Sequence, residues 1–148
     1  MVYLTQMDTK LFPALRAFII CNDKVLIIRE SSRYKGSPNH GKYDLPGGKI
    51  RPNERFDAAL RREVKEETGL EIDLGKAFSI SEWRPEINGV RLHIVATFIE
   101  CTTDTADVVL GQDHDDYIWI NLQDFQKYDI LETLLPAFKD FLTKQKRG

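Results

Sequence analysis

Short apolar runs separated by polar turns make up the first third of the chain. Residues 15–20 (LRAFII) and 24–29 (KVLIIR) are rich in strand-forming apolar side chains, and only residues 21–23 separate them. Two such runs with a short polar connection predict a β-hairpin. The polar stretch that follows, residues 30–42, predicts a long loop, and long loops in compact domains often carry function.

A second pair of apolar runs lies in the middle of the chain. Residues 77–84 and 90–100 flank Asn88-Gly89, a dipeptide that favours the left-handed backbone of a tight hairpin turn. A further strand is predicted at residues 116–120 (DYIWI). Strands are therefore expected in both halves of the chain.

The last amphipathic segment, residues 130–142, predicts a helix whose start is blurred by Pro136. Its predicted inward side chains are Leu131, Leu134, Leu135 and Phe138. Strands interleaved with two helices predict an α/β domain with a mixed central sheet. A length of 148 residues fits one such domain, spanning residues 1–148.

The other predicted helix, residues 53–68, places acidic side chains beside its apolar stripe. Asn53 is its predicted N-cap, Glu54 belongs to its first turn, and Gly69 supplies its left-handed stop. At about 100° per residue, the apolar stripe consists of Phe56, Ala59, Leu60 and Val64. The three glutamates that overlap this stripe are Glu63, Glu66 and Glu67.

Carboxylates at this spacing lie near one another and repel, and their partial burial costs several kcal/mol unless something compensates. A solvated acidic face is the simpler interpretation of adjacent glutamates, but it fits poorly beside an apolar stripe. A hard divalent cation compensates the charge, and Mg²⁺ prefers oxygen ligands together with substrate phosphates. The helix therefore predicts a cation site.

Composition narrows the class of protein. The chain is 42% hydrophobic and 30% charged, which is typical of a globular protein, and its net charge of −2 disfavours nucleic-acid polymers and acidic membranes as partners. It lacks a basic leader and a long apolar run, so the expected location is cytoplasmic; a homodimer is left open. Cys21 and Cys101 are expected to be buried thiols in strands.

The segment from Gly48 to Leu70, GKIRPNERFDAALRREVKEETGL, resembles the signature of the Nudix hydrolase family. That signature reads G-x5-E-x7-R-E-U-x-E-E-x-G-U, where U is a bulky apolar residue. Every specified position matches, namely Gly48, Glu54, Arg62, Glu63, Val64, Glu66, Glu67, Gly69 and Leu70. The preceding Leu45-Pro46-Gly47 and the order of strands are also similar to the family, so the resemblance covers nearly the whole chain.

The resemblance implies a Nudix α/β/α sandwich and a MutT-like enzyme. Such an enzyme hydrolyses a pyrophosphate bond in a nucleoside diphosphate linked to another group, with Mg²⁺ or Mn²⁺ as cofactor. The implied metal ligands are Glu63, Glu66, Glu67, the Gly48 carbonyl and an acid from a distant loop. Glu54 and Arg62 form the implied supporting salt bridge, and Glu63 or Glu66 is the implied base unless the loop acid takes that role.

The distant acid is expected in the loop that precedes Trp119. Asp113 is similar in position to an outlying metal-binding acid of MutT-like members, and Asp116 is the reserve choice, while a solvated acidic turn is the simpler interpretation. The residues expected to contact substrate are Arg29, Tyr43, Arg84 and Asp129. Arg29 is equally well explained as a surface arginine, and for Tyr43 packing is the favoured interpretation. His93, in an apolar strand, is expected to be a core residue.

The substrate is less well defined than the reaction. The small size favours a nucleoside triphosphate pyrophosphohydrolase, whereas Pro85 resembles a marker of ADP-ribose pyrophosphatases and leaves ADP-ribose or a nucleotide sugar as the alternative. A non-catalytic nucleotide-sensing Nudix domain is disfavoured, because no carboxylate of the signature is missing. An isopentenyl diphosphate isomerase, which shares the fold, is disfavoured because Cys21 and Cys101 do not match its pattern.

Overall fold

A computed structural model of the chain describes residues 8–31, 39 and 41–147. Most of the predicted loop at residues 30–42 lies outside these described residues. The strands are β1 (Thr9–Cys21), β2 (Lys24–Glu30), β3 (Tyr43–Asp44), β4 (Gly47–Lys49), β5 (Asp73–Trp83), β6 (Glu86–Ile87), β7 (Val90–Thr102) and β8 (His114–Asn121). The helices are α1 (Phe56–Thr68) and α2 (Leu135–Arg147), with 3₁₀ turns at Leu122–Lys127 and Glu132–Leu134.

The first predicted hairpin is confirmed. Strands β1 and β2 are antiparallel, with Cys21 opposite Lys24. Asn22 and Asp23 both have positive φ, 52° and 63°, which is the backbone of a tight turn matched to the twist of the strands. Strand β1 begins at Thr9, well before the predicted start, because it continues as a parallel partner of β7.

One sheet of mixed direction organises the domain. Its order is β3-β2-β1-β7-β5, with β4 and β8 also paired to β1 and β2, respectively. The β1–β7 pair is parallel and the other pairs are antiparallel. A parallel pair needs a crossover connection, and the segment carrying α1 lies within the crossover from β1 to β7.

Helices cover both faces of this sheet, so the α/β/α prediction is confirmed. Alternate residues of β1 point to opposite faces, as the period of a strand requires. Leu15, Ala17 and Ile19 join the core that contains the buried side chains of α1. Ala14 and Phe18 join the core on the α2 side, where Phe18 stacks on Phe141 at 4.5 Å between ring centroids.

The start of α1 differs from the prediction. Its N-cap is the extended residue Arg55, whereas Asn53 has a left-handed backbone with φ 65° and belongs to the turn before the helix. Asn tolerates this conformation, so here it makes a turn and not a cap. Glu54 therefore precedes the helix, and Phe56 is 54% exposed and outside the apolar stripe. The predicted stop at Gly69 is confirmed, with φ 73°.

The second hairpin is confirmed at its turn and corrected in its strands. Asn88 and Gly89 have φ 52° and 78°. The strand before the turn is interrupted, because β5 ends at Trp83 and the two-residue β6 pairs separately with the start of β7. Pro85, which has no amide hydrogen to give to the ladder, lies in this interruption.

The C-terminal helix begins at Leu135, after the 3₁₀ turn, and not near residue 130. Pro136 accounts for the later start, since proline is tolerated in the first turn of a helix and disruptive further along. Leu134 and Phe138 are buried as predicted, and Leu131 and Leu135 are partly buried. No helix within the described residues is long and apolar enough to cross a membrane.

Candidate active site

Gly47 brings the chain close to the edge of the sheet. Strand β4 pairs antiparallel with β1, placing Gly47 opposite Arg16 and Gly48 opposite Leu15. The φ of Gly47 is 152°, and a Cβ atom there would lie 2.0 Å from the carbonyl oxygen of Leu15. Only glycine fits this path.

Gly48 makes room for a glutamate of α1. A Cβ atom at Gly48 would lie 2.5 Å from Cδ of Glu63 and 2.7 Å from each of its carboxylate oxygens. The Glu63 carboxylate thus packs directly against the main chain of β4. Carboxylate and main-chain carbonyl oxygens are donors of the kind that Mg²⁺ prefers.

Arg62 joins the turn before α1 to the acidic face of the helix. Its Nε and Nη2 atoms donate to the two carboxylate oxygens of Glu54 at 2.8 and 3.0 Å, and its Nη1 atom donates to Glu63 Oε1 at 2.8 Å. The Arg62 guanidinium lowers the pKa of Glu54 to about 2, with the Arg51 amide contributing. This fork geometry orients two carboxylates at once.

Glu67 is held in a different environment. Its Oε1 atom accepts a hydrogen bond of 2.8 Å from the Gly47 amide. Burial raises the pKa of Glu67 to about 8; the Gly47 amide and the charge of Arg16 oppose this rise, and Asp44 and Glu63 add to it. A positive charge beside this carboxylate would favour its ionised form.

Glu66 is the most accessible of the three glutamates. Its side chain is 57% exposed, and its Oε2 atom lies 3.7 Å from Arg62 Nη1. The three carboxylates therefore differ in partners and exposure. In the part of the chain that the structure describes, no three acidic, histidine or cysteine side chains form a ready-made cation cage.

The donors nevertheless fit a divalent cation that retains water ligands. The Glu63–Gly48 contact, the partly buried Glu67 carboxylate and the accessible Glu66 lie on one side of α1 beside β4. Mg²⁺ usually keeps several waters and takes only one or two carboxylates from the protein. A complete protein cage is therefore not required.

The acids at residues 113–116, where the chain enters β8, point their side chains to different partners. Asp115 accepts a hydrogen bond of 2.7 Å from Arg29 Nε, and Asp116 accepts one of 2.5 Å from the Tyr43 hydroxyl. Asp113 is exposed, and its main-chain oxygen accepts from the Ser31 amide. Of these three acids, Asp113 is the one that lines the cavity described next.

A cavity of about 670 Å³ opens beside the glycines, a volume within the usual range for small-molecule sites. Its polar lining includes Gly47, Glu67, Arg84 and Asp113. Three of the predicted substrate contacts, Arg29, Tyr43 and Asp129, are not among its lining residues.

These three residues have other partners. Tyr43 is buried, its amide donates to the Asp129 carbonyl, and Arg29 is engaged by Asp115. His93 is half-buried and pairs with Glu82 at 3.2 Å, so the prediction of a core histidine is wrong. Glu82 lies on the neighbouring strand β5. Cys101 is buried as expected, whereas Cys21 is only partly buried at the end of β1.

The NUDIX domain family model matches residues 10–141 of the chain. The chain belongs to the Nudix family. A nucleoside triphosphatase NudI from Klebsiella pneumoniae (strain 342) is 29% identical over 100 residues, covering 61% of this chain and 69% of the relative.

Solved structures agree with the Nudix fold. The MutT protein from Methanosarcina mazei Go1 superimposes with a TM-score of 0.80 at 26% identity, covering 93% of this chain and 97% of that one. An ADP-ribose pyrophosphatase from Streptococcus suis 89-1591 superimposes with a TM-score of 0.66 at 19% identity, covering 93% and 92%. At that identity the second likeness concerns the fold alone. As a Nudix protein, the chain is a hydrolase of phosphoanhydride bonds.

Sequence reasoning did not identify several polar residues of the Nudix cavity. Arg16, Asp44 and His114 line it, together with the aromatic ring of Trp83. The signal for Arg16 was available, since it is the one charged residue within the apolar run at residues 15–20. His114 gives no such signal, because its burial depends on contacts between distant segments; that burial lowers its pKa.

Proposed function

We propose that this Nudix hydrolase cleaves nucleoside triphosphates to nucleoside monophosphates and pyrophosphate, with Mg²⁺ or Mn²⁺ as cofactor. The observation that carries the proposal is the corner where Glu63 packs on Gly48 and Glu67 is bonded to Gly47, beside a cavity of nucleotide size. The relatives named nucleoside triphosphatase support the substrate class.

The residues that would hold the cation are Glu63, Glu66, Glu67 and the Gly48 carbonyl, with Asp113 as the distant acid. When bound, the cation supplies positive charge to the phosphate oxygens and acidifies water. The Gly47–Glu67 hydrogen bond and the Arg62–Glu63 hydrogen bond hold two of these carboxylates in place before substrate arrives.

Glu66 is the carboxylate we assign as general base. It is the most exposed of the three glutamates, whereas Glu63 is engaged by Arg62 and Glu67 by the Gly47 amide. In the reaction, the water oxygen bonds to phosphorus, the bridging P–O bond breaks, and the water proton passes to Glu66. The leaving oxygen departs with its electron pair as pyrophosphate. Glu63 is the alternative base.

A product screen tests the proposal. The chain is incubated with Mg²⁺ and nucleoside triphosphates, oxidised nucleotides, nucleotide sugars, ADP-ribose or dinucleoside polyphosphates, and the products are separated by anion-exchange chromatography. We expect monophosphate and pyrophosphate from triphosphates. Release of diphosphate and inorganic phosphate would contradict the assigned bond, and nucleotide binding without turnover of any compound would favour a sensing domain.

ADP-ribose or a nucleotide sugar is the second candidate. Pro85 and Arg84 both line the cavity, which supports a contact between the Trp83-Arg84-Pro85 segment and the group beyond the phosphates. Turnover of ADP-ribose at least tenfold more efficient than that of every triphosphate would establish this alternative.

A further inference from the structure

Arg16 places a charge within an apolar stretch of β1. Its neighbours Leu15 and Ala17 are buried on the α1 side, while Arg16 points to the opposite face, where the cavity lies. The Arg16 side chain is only 16% exposed. Burial of a guanidinium costs free energy unless its N–H groups are paired, so its donors can be counted one by one.

The Nε–H group of this guanidinium lacks a hydrogen-bond acceptor among the described residues. Nη1 donates to the carbonyl of Leu15 at 3.3 Å. The Nε atom is buried and has no hydrogen-bond partner among the described residues. Asp44 Oδ1 lies 3.4 Å from Nε, outside hydrogen-bond geometry, and already accepts from the Leu45 amide at 2.7 Å. An acceptor bound in the cavity would satisfy this donor after a small rotation of the Arg16 side chain, because Nε itself has almost no exposed surface.

The surroundings of Arg16 suit a flat heterocycle. The indole ring of Trp83 lies 6.0 Å from the Arg16 guanidinium carbon, and both line the cavity together with Asp44. Leu92 and Ile94 add apolar surface to the same lining. Aromatic faces bind nucleobases by stacking whatever the base, so selectivity has to come from the polar edge.

The same cavity extends to the hydrogen bond between Gly47 and Glu67. Gly47 and Glu67 line it, and Gly47 lies opposite Arg16 in the β1–β4 ladder. One ligand can therefore place its phosphates beside Glu67 and its base beside Trp83.

We propose that Arg16 and Asp44 together select the nucleobase, and that they select cytosine or guanine. This inference rests on the proposed function, since it takes the substrate to be a nucleoside triphosphate. Nε–H and one Nη2–H lie side by side on the same edge of a guanidinium, so they bind two neighbouring acceptors at once. The Asp44 carboxylate beside them accepts a hydrogen bond.

Only two of the common bases match this order of groups. Cytosine presents O2 and N3 as acceptors followed by the N4 amino donor, and guanine presents N7 and O6 followed by the N1–H donor. Adenine, thymine and uracil alternate acceptor, donor and acceptor along the corresponding edge. For these bases one donor of Arg16 would face another donor.

Turnover of four deoxynucleoside triphosphates with Mg²⁺ tests the assignment. We expect kcat/KM for dCTP or dGTP to exceed that for dTTP and dATP by about tenfold or more. In Arg16→Gln the ratio to dATP should fall by about tenfold, because a glutamine amide matches the donor–acceptor pair of adenine. Arg16→Lys replaces the planar fork with a point charge, so it should also reduce the ratio of kcat/KM between the substrates. It keeps the positive charge and therefore tests the assignment even if Arg16→Gln does not fold.

Arg91→Gln is the matched control, because Arg91 is exposed on β7 and does not line the cavity. It should keep both the rates and the ratio. A preference for dTTP or dATP in the unaltered protein would overturn the inference. So would an equal fall for all four substrates in both Arg16 variants, because that pattern indicates a structural role alone.

Binding separates this inference from the proposed function. The chain has two tryptophans, so Trp119→Phe leaves Trp83 as its single indole. Titration of this variant with α,β-methylene triphosphates should quench Trp83 fluorescence, with tighter binding of the cytosine or guanine analogue. Base-selective quenching without turnover would refute the proposed function alone. Turnover with equal rates for all bases would refute the base assignment alone, and the absence of both would refute both.

Discussion

Two acid-rich regions of this protein differ in the partners of their carboxylates. The glutamates of α1 lie beside glycine backbone, where Glu63 touches Gly48 and Glu67 accepts from Gly47. The acids at the start of β8 are instead bonded to side chains, Asp115 to Arg29 and Asp116 to Tyr43. The difference teaches that the number of carboxylates does not define a cation site; what matters is whether their oxygens stay available to an ion.

The comparison predicts its largest effect at Glu66. Glu66→Gln keeps the size of an exposed side chain but removes its charge, so folding should be unchanged. We expect kcat to fall at least about a hundredfold, because even the loss of an outer partner of a metal ligand costs about tenfold to a hundredfold. Glu71→Gln is the matched control, since Glu71 is highly exposed and outside the cavity lining. Near-normal activity of Glu66→Gln would remove Glu66 from the site.

Cation binding should also stabilise the folded chain without any substrate. A ligand that binds only the native state at a hundred times its Kd raises the free energy of unfolding by about 2.7 kcal/mol. Thermal unfolding followed by circular dichroism should therefore shift upward with Mg²⁺, and the shift should shrink in Glu67→Gln. An equal shift in that variant would mean that the ion binds elsewhere.

Substitution of Arg62 tests whether its hydrogen bonds to Glu54 and Glu63 contribute to activity in addition to the predicted metal ligands. Arg62→Lys keeps the positive charge but cannot bond both oxygens of Glu54 and also Glu63, because an ammonium lacks the planar fork. We expect activity to fall by about tenfold to a hundredfold, as for other partners that orient metal ligands. Arg61→Lys, on the solvent side of the same helix, should stay within twofold. If the two variants behave alike, the fork geometry has no part in catalysis.

The cluster of α1 glutamates beside Gly48 could be predicted from local sequence. The cavity next to it could not. The spacing of Glu63, Glu66 and Glu67 on a helix and the glycine before them suffice to predict a cation site, because all the relations are short-range. The exact start of α1 was missed, since the choice between cap and turn at Asn53 depends on its left-handed backbone.

The cavity depends on pairings between distant segments. Arg16 meets Asp44 and Trp83 only because β1 lies between β4 and β7 in the folded chain. Likewise, which loop acid is neutralised by Arg29 is decided by the β2–β8 register, with its irregularity between Arg29 and Glu30. Sequence alone cannot rank such acids, because it does not specify their partners across the sheet.

The smallest effect in this comparison is expected among the acids at residues 113–116, where the chain enters β8. Asp113→Asn should lower kcat/KM by about tenfold, since Asp113 lines the cavity and, among the described residues, has no ion pair like that of Asp115 with Arg29. Asp115→Asn removes only an exposed ion pair with Arg29, and such pairs contribute about 0–1 kcal/mol, so its activity should stay within about twofold. Both variants carry the same chemical change, Asp to Asn, at positions two residues apart, so each is the control for the other. The reverse order would mean that the Arg29–Asp115 pair belongs to the catalytic machinery, and that the loop acids are selected by their partner and not by access to the cavity.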